Sequence, residues 1–159
     1  MIRNKAVSDS ITEWTRCLQY ADINGSNRLF GGRLMSWMDE VAAITAARHC
    51  GKDVTTASVD NLQFKSGAYL ADIIVLIAKV TYVGRTSMEI RVDVYVENVA
   101  NGERRQINRA YFTEVCVDDN GKPMEIEYGL ELQNESEKAE WESALKRREL
   151  RKQRRVEGY

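Results

Sequence analysis

The chain has 159 residues, of which 43% are hydrophobic and 30% charged, with a formal net charge of −1. That length suits one domain with a substantial core, and the near-neutral charge gives no general attraction for nucleic acid or an anionic membrane. The first residues, Met1-Ile-Arg-Asn-Lys5, lack an apolar leader segment. The longest apolar runs, near Leu70–Val80 and Val41–Ala47, are too short to cross a bilayer. Cytoplasmic localisation without membrane insertion is therefore expected. Three cysteines, Cys17, Cys50 and Cys116, show no CxxC spacing and fit reduced thiols.

In chain order, the loose alternation over Ser10–Tyr20 predicts a first strand. Asp22-Ile-Asn-Gly-Ser-Asn27 is a polar loop with a strong Asn-Gly turn signal. From Arg33 to about Cys50, Leu34, Met35, Met38, Val41, Ala42, Thr45 and Ala46 recur at three- and four-residue steps, and Trp37, Ala43, Ile44 and Ala47 widen the apolar surface. A helix so apolar belongs inside the protein, and Gly51 suits its C′ position. Strands follow over Val54–Phe64, Asp72–Val83, Thr86–Val99 and Glu103–Val117. In the third of these, Met88, Ile90, Val92, Val94 and Val96 alternate with Glu89, Arg91, Asp93, Tyr95 and Glu97, the period-2 pattern of a half-buried strand. Asn101-Gly102 joins the last two as a hairpin. A strand, a buried helix and four more strands fit one helix lying inside a curved antiparallel sheet. The tail carries seven acids from Glu125 to Glu142 and then seven bases from Lys146 to Arg155. With Asn134 as N-cap and Glu137 three residues on, residues 134–153 read as an exposed helix appended to the core.

Three places carry candidate chemistry. Asp39 stands among Trp37, Met38 and Val41, where a carboxylate is costly unless it is paired or reaches solvent at a site; there it suits a general base. The plainer alternative is a solvated edge made by Arg33, Ser36, Asp39 and Glu40. Gly31-Gly32, just before the helix, permits close approach and leaves N-terminal amides free for a polarised carbonyl, unless the pair serves only packing. Gly84-Arg85-Thr86-Ser87 offers backbone amides, hydroxyls and a guanidinium suited to phosphate, or is an ordinary hairpin turn. His49, the only histidine, fits an interaction with the helix C-terminal dipole. One His and scattered Cys support no metal site, and there is no P-loop or GxGxxG. The basic tail reads as a solvated or interprotomer helix.

Taken together, Asn24…Leu29-Phe-Gly-Gly-Arg-Leu-Met-Ser-Trp-Met-Asp-Glu-Val-Ala-Ala-Ile44 resembles the active-site segment of hotdog-fold acyl-CoA thioesterases, close to the group containing the brain cytosolic enzyme and its bacterial relatives. Val54-Thr-Thr-Ala-Ser-Val-Asp60, Phe64, Gly84-Arg-Thr-Ser-Met88, Val96-Glu-Asn98, Gly102-Glu-Arg104, Ala110-Tyr-Phe-Thr113 and Asp119-Asn-Gly-Lys-Pro123 continue the match over roughly residues 10–125. The resemblance implies an α+β hotdog domain over residues 1–130, one long helix wrapped by a five-stranded antiparallel sheet, with a charged helical extension at 131–159. It implies acyl-CoA hydrolysis to a free carboxylic acid and coenzyme A. Asp39 would be general base or nucleophile, and Asn24 would position water or thioester. Gly32, with Gly31, would polarise the carbonyl, while Val59, Asp60, Gly84, Arg85, Thr86 and Ser87 would lie along the coenzyme A groove. No cofactor is implied, coenzyme A entering as part of substrate and product. Related sites are shared across a homodimer, often within a trimer of dimers. The pattern departs at Asn27, Gly67 and Ala71, where the family usually has Gly, Pro and Gly, which bears on loop shape. A hydratase reading is disfavoured because the only His lies ten residues beyond Asp39. A non-catalytic acyl-CoA-binding module is the alternative.

Overall fold

A computed structural model describes residues 3–159. Its elements are strands β1 (Arg3–Ala6) and β2 (Thr12–Cys17), helix α1 (Gly31–Cys50), strands β3 (Val54–Phe64), β4 (Ile73–Val83), β5 (Ser87–Glu97), β6 (Arg104–Cys116) and β7 (Tyr128–Glu131), and helix α2 (Glu135–Glu157). Five strands form an antiparallel sheet in the order β2-β4-β5-β6-β3. The first strand is shorter than expected, since the chain turns through a 3-10 segment at Tyr20–Asp22. Strands β1 and β7 were not foreseen. They pair in parallel as a separate two-stranded ribbon, and four residues each are too few to display a period.

The alternation of β4, β5 and β6 places Ile74, Leu76, Ala78, Val80, Met88, Ile90, Val92, Val94, Ala110 and Phe112 in one cluster with Leu34, Trp37, Met38, Val41, Ala42 and Ala46 of α1. Met38 and Ala42 are wholly buried, and burying a side chain the size of Met38 contributes about 1.5–3 kcal/mol. Trp37 meets Trp14 of β2 edge to face, with centroids 5.4 Å apart. The helix begins at Gly31, two residues before the expected start. It ends as expected at Gly51, whose left-handed φ of 70° lets its N–H reach the Ala47 carbonyl. Lys5 Nζ then caps the carbonyls of Arg48 and His49 at 2.7 and 2.8 Å.

The tail is not a solvated appendage. Helix α2, capped by Asn134 as expected, lays one face on the outer side of the sheet. Ala144 is buried there, Trp141 packs on Tyr82 at 4.6 Å, and the Arg147 guanidinium lies 3.6 Å over Tyr111. The bases that look like a charge run in sequence are answered by the polar face of the strands. Arg147 binds Glu89 at 2.7 and 3.0 Å, and Arg151 and Arg154 bind Asp60 at 2.5 and 2.7 Å. Arg91 bridges Asp93 and Glu140. Half-burial of the alternating strand was therefore an underestimate: Glu89 and Asp93 are buried too.

Candidate active site

The loop before α1 is organised by Asp22, a buried carboxylate that sequence reasoning passed over. It accepts hydrogen bonds from the Gln19 N–H at 3.0 Å and from Arg16 at 3.1–3.3 Å, while its own carbonyl receives the Phe30 N–H at 2.8 Å. Asn24 follows in a tight turn. Its Oδ1 accepts from the N–H groups of Ser26 and Arg28 at 2.9 and 3.2 Å, which commits that oxygen to the loop and leaves Nδ2 as the group available to a ligand. Asn27 takes the left-handed region at φ 58°, a conformation asparagine tolerates.

Gly31 and Gly32 open α1 without a side-chain cap, so their amides lack intrahelical partners. Aromatic rings roof both positions. A Cβ on Gly32 would stand 2.8 Å from the Phe30 ring, and one on Gly31 would stand 3.3 Å from Phe64. Both rings are exposed side chains that can swing aside, so a Cβ here would displace them rather than the backbone. Asn24, Gly31, Arg28, Leu34, Phe64 and Ile107 line one cavity of about 340 Å³.

Asp39 does not line that cavity. A helix rises 1.5 Å per residue, so Asp39 lies about 10 Å along α1 from Gly32. It is exposed, as are Arg33, Ser36 and Glu40, so the solvated edge exists and Asp39 is part of it. Asp39 is nevertheless paired. The Thr56 hydroxyl on β3 lies 2.6 Å from its Oδ1, and the same hydroxyl lies 3.0 and 3.3 Å from the two carboxylate oxygens of Glu114 on β6. Glu114 is fully buried. Burial pushes its carboxyl up to about 7, the Thr56 hydrogen bond opposes this, and the negative charge of Asp39 adds to it. Neither Thr56 nor Glu114 was foreseen. Threonine in a strand is unremarkable. Glu114 did leave a signal, as a carboxylate in phase with the core residues Ala110, Phe112 and Cys116.

The other expected residues are dispersed. Val59 is exposed on β3, but Asp60 faces the opposite side, its carboxylate held by Arg151 and Arg154. Asp60 therefore joins the sheet to α2 and does not line the cavity of Asn24 and Gly31. The Gly84–Ser87 turn is tight, with the Gly84 N–H 2.7 Å from the Ser87 carbonyl. It borders an open depression of about 850 Å³ with Arg3, Glu125, Ile126 and Tyr128. Arg85 is well exposed beside Glu125 at 3.1 Å, and its backbone carbonyl accepts the Ile126 N–H at 2.8 Å. His49 does not sit at the dipole as a surface cation. It is buried between the Ser10 hydroxyl and the Tyr128 carbonyl, at 3.3 and 3.2 Å. Burial lowers its imidazole below the ordinary 6.5, outweighing the Tyr128 carbonyl. Among the described residues no cluster of His, Cys, Asp and Glu is arranged to hold a metal ion, and no helix is long and apolar enough to cross a membrane.

The thioesterase superfamily pattern matches residues 26–102. An acyl-CoA hydrolase of Staphylococcus aureus, solved with butyryl coenzyme A, coenzyme A and coenzyme A disulfide, is 37% identical and superimposes with a TM-score of 0.90 over 97% of this chain and 93% of that one. The chain belongs to the acyl-CoA thioester hydrolases of the thioesterase superfamily. Its helix wrapped by a five-stranded sheet is the hotdog fold of these enzymes. A hexameric acyl-CoA thioesterase is 40% identical, with a TM-score of 0.91 over 96% of this chain and 97% of that one. An uncharacterized acyl-CoA thioester hydrolase of Bacillus subtilis, YkhA, is 43% identical over 105 residues, 66% of this chain, which spans 61% of that relative's length. Variants of the Staphylococcus enzyme with alanine at an asparagine, an aspartate and a threonine have also been solved.

Proposed function

We propose that the chain hydrolyses acyl-CoA thioesters to a fatty or other carboxylic acid and coenzyme A, with Asp39 as general base or nucleophile. The observation that carries this reading is the 2.6 Å contact between the Thr56 hydroxyl and Asp39 on the exposed side of α1. Asn24, Asp39 and Thr56 stand at the same mutual spacing as the asparagine, aspartate and threonine replaced in the Staphylococcus enzyme. A thioester needs little help to expel its thiolate. The site must polarise a carbonyl and deliver an oxygen nucleophile. In this reading the free amides at Gly31 and Gly32 receive the carbonyl oxygen and Asn24 Nδ2 orients the thioester or the water.

The separation of about 10 Å between Gly32 and Asp39 along the helix favours a site shared between two protomers, with Asn24 and Gly32 from one and Asp39 and Thr56 from the other. β3 is an edge strand, and Phe30, Met35, Val59 and Phe64 are exposed apolar residues on β3, on α1 and at its start, an arrangement that favours a covering second copy. We read the assembly as a homodimer at least and, by analogy with hexameric relatives, as a trimer of dimers. The Gly84–Ser87 turn, with the exposed Arg85, is the proposed contact for coenzyme A phosphates. The chemistry calls for no metal or other cofactor, and the free thiols Cys17, Cys50 and Cys116 accord with a cytoplasmic location.

The test is thiol release from short, long and aromatic acyl-CoAs by wild type, Asp39→Ala and Asn24→Ala, with light scattering on each. Turnover by wild type, with at least a hundredfold loss in folded Asp39→Ala, supports the reading. Coenzyme A binding without turnover on any substrate would shift the reading to a non-catalytic acyl-CoA-binding module. A monodisperse monomer with full activity would overturn the shared site.

A further inference from the structure

We propose that Glu114 is a positioning residue of the hydrolytic site which, through the Thr56 hydroxyl, holds the proton that Asp39 removes from water. The inference rests on the thioesterase reading above and adds a residue to it. Its basis is geometric. One hydroxyl lies 2.6 Å from Asp39 Oδ1 and 3.0 Å from Glu114 Oε1, and it owns a single proton, so the two carboxylates compete for it.

Glu114 is anomalous for its position. Its side chain is wholly buried in the inner face of the sheet, where a carboxylate is costly without a cation. Asp39 of α1 is the charged group that bears on it. Its register neighbours are Thr56 on β3 and Met88 on β5, neither of which is charged. Cys116, two residues along the same strand, is a buried thiol that burial pushes up to about 11, so it is neutral at working pH. The hydroxyl it meets also has Asp39 as acceptor, and an apolar residue would fill the space without the desolvation cost. The elevated Glu114 carboxyl, near neutrality, suits a group that takes up and releases a proton at working pH.

Asp39 takes a proton from the attacking water as the O–C bond to the acyl carbon forms. The proton on Asp39 passes to Thr56 Oγ1 while the Thr56 proton passes to Glu114, restoring Asp39 as a carboxylate and leaving Glu114 neutral. The C–S bond breaks with its electron pair going to the coenzyme A sulfur, and Glu114 later returns its proton to solvent or to the thiolate by the same path. An onward route for the proton is useful to a general base and idle for a nucleophile, so the arrangement also favours the general-base form of Asp39. The relay operates when Glu114 begins ionised. Activity therefore rises as pH passes through the Glu114 titration.

The experiment measures kcat/KM from pH 5.5 to 9 by loss of thioester absorbance, on butyryl coenzyme A or whichever acyl-CoA turns over fastest. It compares wild type, Glu114→Gln, Thr56→Val, the double variant and Asp39→Ala, each checked for fold by circular dichroism. Wild type is expected to rise about tenfold between pH 6 and 8, with its midpoint near 7. Glu114→Gln, nearly isosteric and unable to accept a proton, should lack that rise. Thr56→Val in the Glu114→Gln background should abolish no further pH dependence. A Glu114→Gln profile that keeps the rise, or that is lowered by the same factor at every pH as a packing defect would be, overturns the inference while a dead Asp39→Ala still upholds the hydrolase. An active Asp39→Ala overturns both.

Discussion

Arg147 offers the sharpest test of how the C-terminal helix is held. Its guanidinium makes two hydrogen bonds to Glu89, which is 1% exposed, and stacks on Tyr111. Removing one partner of a buried ion pair strands the other and costs about 3–5 kcal/mol. Arg151 stands 3.7 Å from the second Glu89 oxygen and can offset part of this, so Arg147→Ala should lose about 3 kcal/mol. For a domain of this size that is a fall of roughly 6–12 °C in Tm. Urea denaturation of all variants at one protein concentration keeps the contribution of subunit dissociation the same across the set. Arg155→Ala is the control, because Arg155 is exposed on the same helix and should cost within about 0.5 kcal/mol. Pairing Arg147→Met with Glu89→Gln removes both charges and keeps an acceptor for the Thr81 hydroxyl, which donates to Glu89 Oε1 at 2.8 Å. The double variant should then be more stable than Arg147→Ala. If Arg147→Ala matches Arg155→Ala, or the double variant is the weakest of the set, the helix is held by its apolar contacts and the network reasoning fails.

Three further outcomes follow from single groups. Glu114 has its folded carboxyl raised from 4.5 to about 7, so the native state binds the extra proton between those values and stability falls as pH rises through that window; Glu114→Met should stabilise the fold at pH 8, by up to roughly 3 kcal/mol, and bring no such gain at pH 4, a contrast that denaturation at the two pH values will read. His49 has the opposite sign: its folded imidazole is lowered below 6.5, the unfolded chain binds more protons, and stability is lost as pH falls below about 6.5, a slope that His49→Gln should flatten and whose persistence in that variant would refute the assignment. Ala71 holds φ 67°, where an L residue is strained by about 1–2 kcal/mol; after the greater chain entropy of glycine is set against this, Ala71→Gly should raise stability by about 0.5–1 kcal/mol, and a lower Tm would contradict that strain.

The main sheet and α1 were legible because each repeats a period long enough to count. Residues 33–50 step by three and four, β5 alternates in sequence over eleven residues, and β4 is an eleven-residue run rich in Ile and Val. What escaped was set by partners distant in sequence. β1 and β7 are four-residue strands that exist through each other. The burial of α2 depends on Glu89 and Asp60, fifty-eight and ninety-one residues from the arginines they bind. A run of bases announces charge, and which carboxylates answer it is decided only when the outer face of the sheet is assembled. Asp60 shows the same dependence, its partners being the distant Arg151 and Arg154. Its neighbour Val59 and it point to opposite faces of one strand, so adjacent residues of one motif meet different surroundings.

The candidate site shows its residues in the sequence but not the contacts between them. Asn24, Gly31, Gly32 and Asp39 stand out in sequence, and Asn24 and Gly31 line one cavity, yet helix geometry keeps Asp39 about 10 Å from Gly32 along the axis. In the proposed shared site, that spacing separates two half-sites, and each chain gives one half to each of two centres. The half around Asp39 is the more informative, because it couples an exposed carboxylate to a buried one through a hydroxyl. Stability and chemistry make opposite demands at Glu114: an apolar side chain there would hold the sheet better, and only an ionisable one can receive a proton. The variant that gains stability at pH 8 should thus be the one that loses the neutral-pH rise in kcat/KM. Observing the gain without the loss would reduce Glu114 to an uncompensated buried charge.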